Sequence, residues 1–259
     1  MRIQEVKCFG ELAGQGNPAL VVTEDDSNMD ERSNFARIRN ATCVFLDPCD
    51  ASGVLCSLDY FYPHTRSPLC LHATLAAALV LLAGQDGPVV VKTALRGQRM
   101  SLSRRGDDYL VHLSRQAAPQ IEVADDLVRS LLMVPEMAFL STPVVASVGS
   151  PKLLIEVADV IALYALRPDL ARISAWGKQN GVSGCYAYCR RGDDQFEGRN
   201  FNHLDPALED SATGVAAGAL TEILGHGITL HQGFAVGKSC RIVTSMEGNQ
   251  IFVGGKVGK

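Results

Sequence analysis

Two segments of this chain are built from small apolar residues in a way that leaves few folds open to it. The first, His72-Ala-Thr-Leu-Ala-Ala-Ala-Leu-Val-Leu-Leu-Ala83, is apolar on every face, as a helix must be if it is enclosed on all sides. The second, Ser211-Ala-Thr-Gly-Val-Ala-Ala-Gly-Ala-Leu-Thr-Glu-Ile-Leu224, has the same texture, which lets surrounding strands approach closely. Each is followed by a glycine, Gly84 and Gly225, suited to a C-terminal stop.

Short β-branched or alternating runs dominate the rest: Arg2–Phe9, Ala19–Thr23, Val54–Phe61, Val89–Lys92, Tyr109–Leu113, Leu153–Val157, Cys185–Cys189, Arg241–Thr244 and Gln250–Val253 are examples. Helical periodicity adds Asp30–Asn40, Asp125–Met133 and Pro168–Lys178. Superposing Ala73-Thr74-Leu75-Ala76-Ala77-Ala78 on Ala212-Thr213-Gly214-Val215-Ala216-Ala217 brings Phe61 and Phe201 to nearly equal upstream distances, so an internal duplication follows. The predicted fold is α+β: two pseudo-symmetric halves, residues 1–118 and 119–259, each a curved sheet or barrel wrapped around a central apolar helix. Terminal strands are free to cross between the halves.

The 259 residues, 47% hydrophobic and 20% charged, suffice for a full core. A formal charge of -4 and pI near 5.9 give no electrostatic reason to bind nucleic acid or an anionic membrane, so a small-molecule partner is expected. The N-terminus lacks a signal-peptide core and no apolar run reaches membrane-spanning length, which predicts a cytoplasmic protein. The eight cysteines then read as reduced thiols. No metal is expected: among the histidines, including His203, none completes a set with Cys185 and Cys189, which on one strand would sit roughly 13 Å apart.

A buried helix beginning in a cleft presents unpaired backbone N–H groups and about half a positive charge. Two such starts facing each other would hold a substrate carboxylate and stabilise negative charge on the neighbouring carbon, which favours proton transfer there. Cys70 and His72 from the first start, and Glu209, Asp210, Ser211 and Thr213 from the second, supply acid–base groups. The alternative for Asp210 and Ser211 is plain helix capping.

Several blocks occur in a telling order: Gly16-Asn17-Pro18-Ala19-Leu20-Val21-Val22, Phe61-Tyr62-Pro63, Leu69-Cys70-Leu71-His72-Ala73-Thr74, Glu209-Asp210-Ser211-Ala212-Thr213-Gly214, Gln232-Gly233 and Val253-Gly254-Gly255. Together they resemble the PhzF-like (phenazine biosynthesis-like) isomerase family, of the diaminopimelate epimerase-like fold, over essentially the whole chain. The resemblance implies an isomerase without metal or organic cofactor that closes on a small carboxylate-bearing metabolite. It places His72 and Asp210 in the acid–base roles, and Leu71 and Gly214 at glycines lining the ligand site. Cys70 and Ser211 fall where related amino-acid epimerases and racemases place two acid–base cysteines. Asn17, Thr42, Ala73, Thr74, Thr213 and Val215 complete the expected substrate contacts.

The chain departs from the pattern where the family carries its principal proton-transferring Glu: Thr42 stands there, and a hydroxyl is no carboxylate base near pH 7. Asp210, Glu209 and His72 are the replacements at hand. Leu71 and Val215 replace a glycine and a serine, narrowing the pocket. Arg66 replaces a Glu and is expected either to pair with Asp210 or a ligand carboxylate, or to be a solvated loop residue. Two other functions fit these residues: an amino-acid epimerase or dehydratase with Cys70 as base, and a small-molecule binding protein on an altered enzyme scaffold. Exposed sheet edges suggest a homodimer.

Overall fold

The computed structural model describes residues 1–12, 14–85, 87–202 and 209–258, so His203 lies outside the described residues. The chain divides into two units, Met1–Leu113 with Phe252–Lys259, and Ser114–Ile251. The first unit begins with β1 (Arg2–Cys8), β2 (Asn17–Thr23), α1 (Met29–Arg39), β3 (Cys43–Asp47) and β4 (Cys56–Tyr62). It continues with β5 (Thr65–Ser67), α2 (Leu71–Leu81), β6 (Val89–Thr93), β7 (Arg99–Arg105) and β8 (Asp108–Ser114). The second holds α3 (Asp125–Leu132), β9 (Val144–Ala146), β10 (Lys152–Glu156), α4 (Val160–Ala165), α5 (Leu170–Asn180) and β11 (Cys185–Arg190). After these come β12 (Gln195–Phe201), β13 (Glu209–Asp210), α6 (Gly214–Leu224), β14 (Thr229–Gln232) and β15 (Cys240–Glu247). The last strand, β16 (Gln250–Gly258), belongs to the first unit from Phe252 onward.

In the first unit the strand order is β1-β2-β3-β4-β6-β7-β8-β16, and β1 pairs back to β16 at Lys7↔Gly258 and Cys8↔Val257. This closes an eight-stranded barrel, which leaves no free edge. Its interior is filled by α2, buried from Leu71 through Ala78 and packed on β1, β2, β3 and β7. A barrel of this size takes a helix only if that helix is thin, which explains the alanines. On the outside, α1 starts with a capping box in which Asn28 accepts the Asp30 and Glu31 N–H groups while Glu31 accepts that of Asn28.

The second unit repeats the connection pattern of the first. In the first, β1–β2 are antiparallel, β2–β3 parallel across α1, β3–β4 antiparallel and β4–β6 parallel across α2. In the second, β9–β10 are antiparallel, β10–β11 parallel across α4 and α5, β11–β12 antiparallel and β12–β14 parallel across α6. Even the short strands correspond, β5 on β4 and β13 on β12. Buried α6 packs against β9, β10 and β15. On the other sheet face Cys185, Ala187 and Cys189 join an apolar core with Leu131, Leu163 and Ile173 of α3, α4 and α5. Among the described residues no helix is long and apolar enough to cross a membrane.

Helix boundaries differ from the sequence reading in instructive ways. Gly225 is the C-cap of α6 at φ 74°, whereas α2 ends on Leu82 in right-handed geometry and Gly84, at φ 75°, turns the chain two residues later. At its start, α6 begins at Gly214 and not Ser211, because Asp210 is held in β13 opposite Asn200 and Thr213 is non-helical (φ -126°, ψ 86°). The N-cap position is therefore held by Thr213, and not by Asp210 or Ser211.

Strand register also corrects the internal superposition. Cys43↔Phe61 and Phe61↔Arg66 in the first unit match Cys185↔Phe201 and Phe201↔Glu209 in the second. Arg66 thus corresponds to Glu209, Ser67 to Asp210, and the N-cap Cys70 to the N-cap Thr213. The alanine-rich match of Thr74 to Thr213 is four residues out of step, close to one helical turn, which small residues tolerate without penalty.

Candidate active site

In the first unit, Cys70 caps α2 from extended geometry without any side-chain bond to the helix N–H groups. Its Sγ lies 3.3 Å from His72 Nδ1 and 3.8 Å from Nε2, so thiol and imidazole are in contact. Cys8 Sγ donates to the His72 carbonyl at 3.1 Å. Thr74 donates its hydroxyl to the Cys70 carbonyl at 2.8 Å and accepts that of Tyr60 at 2.7 Å, so Thr74 braces the helix start. Burial pushes the Tyr60 phenol up, keeping it a neutral donor.

Leu71 and Ala73, the first and third residues of α2, are buried. Asn17 is buried at the head of β2, opposite Cys8. Gly16 before it has φ 118°, and a Cβ there would meet the Cys8 carbonyl oxygen at 2.7 Å. Thr42 is half-buried before β3, with its carbonyl accepting the Leu20 N–H at 2.8 Å. Arg66 lies on β5 and is half-buried, not a solvated loop residue. Its guanidinium grips Asp59 through two bonds of 2.8 and 3.1 Å and lies over the Phe61 ring.

In the second unit, Asp210 Oδ2 accepts the Thr213 hydroxyl at 2.7 Å. Gln232 ties this turn together. Its Nε2 donates to the Asp210 carbonyl at 2.7 Å and to Thr213 Oγ1 at 3.1 Å, while its Oε1 accepts the Thr213 N–H at 3.1 Å and the Tyr186 hydroxyl at 3.0 Å. Tyr186 reaches Gln232 only because position 198 is glycine, where a Cβ would lie 2.0 Å from the phenol oxygen. Ser211 is half-buried, and its carbonyl sits close against Gly233 at φ 101°, where a Cβ would approach it to 2.8 Å. Gly214 and Val215 open α6 and are buried. The N-cap Thr213 makes no side-chain cap bond to the helix N–H groups.

Glu209, one replacement base suggested by the sequence, is committed elsewhere. Buried Arg199 binds it through bonds of 3.0 and 2.8 Å and also donates to the Leu163 and Leu166 carbonyls. Cys185 and Cys189 are core thiols, pushed up by burial to about 12 and about 11. Among the described residues no group of three or more His, Cys, Asp or Glu is placed to hold a metal ion.

Sequence reasoning missed Lys152. It heads β10, is 2% exposed, and donates to the Ser183 carbonyl. Burial pulls its ammonium down to about 8, against the opposing pull of Asp210 and then Cys185. The only signal was a lysine at the edge of the apolar run Leu153–Val157.

The duplicated sheet-and-helix units, with His72 and Asp210 beside the two buried helix starts, make an α+β fold shared with proteins named as isomerases and epimerases. The phenazine biosynthesis-like (PhzC-PhzF) family model matches residues 6–256, and the chain belongs to that family. It is 28% identical over 246 residues to the "Uncharacterized isomerase YddE" of Salmonella typhimurium, covering 90% of this chain and 82% of that one. A predicted epimerase from Pseudomonas aeruginosa has a similar structure, with TM-score 0.80 and 23% identity over 99% of this chain and 95% of that one. So does a hydroxyproline epimerase from Agrobacterium vitis with bound trans-4-OH-L-proline, with TM-score 0.66 and 12% identity over 99% of this chain and 90% of that one.

Proposed function

We propose that the chain is a cofactor-independent isomerase that moves a proton on a small carboxylate-bearing metabolite. The carrying observation is that neither N-cap residue, Cys70 of α2 nor Thr213 of α6, caps its helix with its own side chain, while an acid–base group stands at each start, His72 in one and Asp210 in the other. In this reading the two starts meet one substrate and their N–H groups hold its carboxylate. Asp210 takes the proton from the adjacent carbon, the electron pair delocalises into the carboxylate, and His72 returns a proton to another position. The bound amino acid of the hydroxyproline epimerase supports a substrate of this size and charge. Asp210 rather than Glu209 stands in for the acid missing at Thr42, since Glu209 is held by Arg199.

The test is entry of solvent deuterium beside the carboxylate across a panel of amino and hydroxy acids. Asp210→Ala and His72→Ala should each slow it by about a hundredfold or more. Unchanged turnover in both variants sinks the reading. The contact between Cys70 Sγ and His72 Nδ1 supports a second reading, with Cys70 as the base of an amino-acid epimerase or dehydratase. There Cys70→Ser, and not Asp210→Ala, removes exchange at the α-carbon.

A further inference from the structure

We infer that Asn200 is a specificity-determining residue of the α6 site: its side-chain amide binds a hydroxyl group carried on, or next to, the carbon that Asp210 deprotonates, which makes the substrate a hydroxy acid. The inference rests on the reading of Asp210 as proton carrier.

The contacts of the second unit fix which way Asn200 faces. Its chain neighbours turn to the core side, Arg199 toward the Leu163 carbonyl of α4 and Phe201 into the apolar cluster with Leu163 and Ile173. Asn200 lies between them and so emerges on the opposite sheet face. There it stands in register between Tyr186 of β11 and Asp210 of β13. Both flanking side chains are tied to the start of α6. Asp210 accepts the Thr213 hydroxyl, and Tyr186 donates to the Gln232 oxygen that also accepts the Thr213 N–H. Asn200 is therefore aimed at the same helix start, with its Cα about 4.5–5.5 Å from that of Asp210, the spacing of paired residues on antiparallel strands.

Unlike its two neighbours, Asn200 is left without a bond. It is fully buried, and neither its Nδ2 nor its Oδ1 has a hydrogen-bond partner among the described residues. Orphaned buried amides are rare in native cores and call for a specific reason. The first unit shows a satisfied residue at the same place. With Phe61 matched to Phe201 and the N-cap Cys70 to the N-cap Thr213, Asn200 corresponds to Tyr60 and Ala217 to Thr74. Tyr60 and Thr74 are joined through their hydroxyls at 2.7 Å. In the second unit the strand residue is shorter and the helix hydroxyl is gone, yet the strand position has stayed polar. Leucine, of similar size, would fill it without the cost of an unpaired buried amide.

An amide offers a donor and an acceptor side by side, and a hydroxyl is the ligand group that uses both. A substrate ammonium would engage Oδ1 alone and leave Nδ2 unpaired, and a carboxylate would do the reverse. Asp210 is half-buried and stands directly beside Asn200 on the edge strand β13. A hydroxyl that reaches the amide past Asp210 brings the carbon that bears it, or the next one, against the carboxylate that takes the proton.

The test uses matched acids that differ in one substituent: lactate, alanine and propionate in one set, malate, aspartate and succinate in the other, each as the racemate where chiral. In the wild type, deuterium entry beside the carboxylate should be about tenfold faster or more, as kcat/KM, for the hydroxy acid than for the amino acid of its set, and Asn200→Leu should bring that ratio to about one. A ratio that Asn200→Leu leaves in place overturns the proposal, as does a wild-type preference for the amino acids. Side-chain amide NMR on the isotope-labelled wild type needs no variant. The Asn200 amide protons, assigned through their own backbone, should shift on addition of lactate or malate and stay in place with propionate and succinate. A response to none of the acids, or an equal response to all, overturns the proposal. Should the wild type exchange deuterium into none of them, the proton-transfer reading fails, and the amide response alone decides whether Asn200 binds the hydroxyl.

Discussion

Arg199 and Glu209 form a buried, two-bond ion pair, and its counterpart in the first unit is the same pair with the charges exchanged, Asp59 with Arg66. Asp59 and Arg199 each lie two residues before the matched Phe61 and Phe201, and both guanidinium groups sit over those rings, at 5.7 and 5.0 Å. The duplication has kept the geometry of an ion pair beside each short strand and reversed its polarity. In both units the pair fixes the strand that leads into the buried helix.

Arg199→Met should therefore cost about 3–5 kcal/mol in urea unfolding, because it leaves the Glu209 carboxylate and two backbone carbonyls without their donor. The double variant Arg199→Met, Glu209→Met should cost less than the single one, since no uncompensated charge remains. Equal losses would show that the pair contributes through packing alone.

Gln232 uses every hydrogen-bonding position of its amide on the turn that carries Asp210 and Thr213. Gln232→Leu should destabilise by about 2–4 kcal/mol through the groups it leaves unpaired. It should also loosen Asp210, detectable as faster amide hydrogen exchange at Thr213. Exchange there at the wild-type rate would show that β13 alone holds the turn.

The pH dependence of stability carries the signature of Lys152. With the folded group near 8 and the unfolded one near 10.5, the unfolded chain binds more protons in that window, so stability rises with pH across it. The gain should approach about 3 kcal/mol between these limits. Subtracting the profile of Lys152→Met cancels the other groups, and a difference that is flat from pH 8 to 10.5 would contradict the burial of a charged lysine.

Among the cysteines, Cys49 should react first with a thiol reagent. It is partly exposed, and a hydrogen bond from the Ala51 N–H at 3.4 Å, aided by Lys92, lowers its titration point. Cys43, Cys56 and Cys185 are pushed up to about 12 by burial. Cys49→Ser should remove the fast phase of labelling, while Cys185→Ser should leave it intact.

What could be read without coordinates follows from local composition. The all-apolar texture of Leu71–Leu81 and Gly214–Leu224 required enclosure, and both helices are enclosed. The alternating runs Tyr109–Leu113 and Cys185–Cys189 required strands, and both lie within strands. Strand β7 was harder to see, because Arg99, Arg104 and Arg105 mask the alternation of Met100 and Leu102, which the burial pattern reveals.

The sequence by itself determined that two small-residue helices must be wrapped by strands, that the chain is duplicated, and which family it belongs to, because each depends on local periodicity or on motif order. Only the tertiary structure decided register and partnership. It aligned Cys70 with Thr213, since alanine-rich helices match nearly as well when slid by a turn and the strand pairings alone distinguish the two alignments. It gave Arg66 to Asp59 and Glu209 to Arg199, and it buried Lys152 at the head of β10. A charged side chain carries no mark in the sequence of which distant strand will neutralise it. That choice is made by the pairing of strands far apart in the chain.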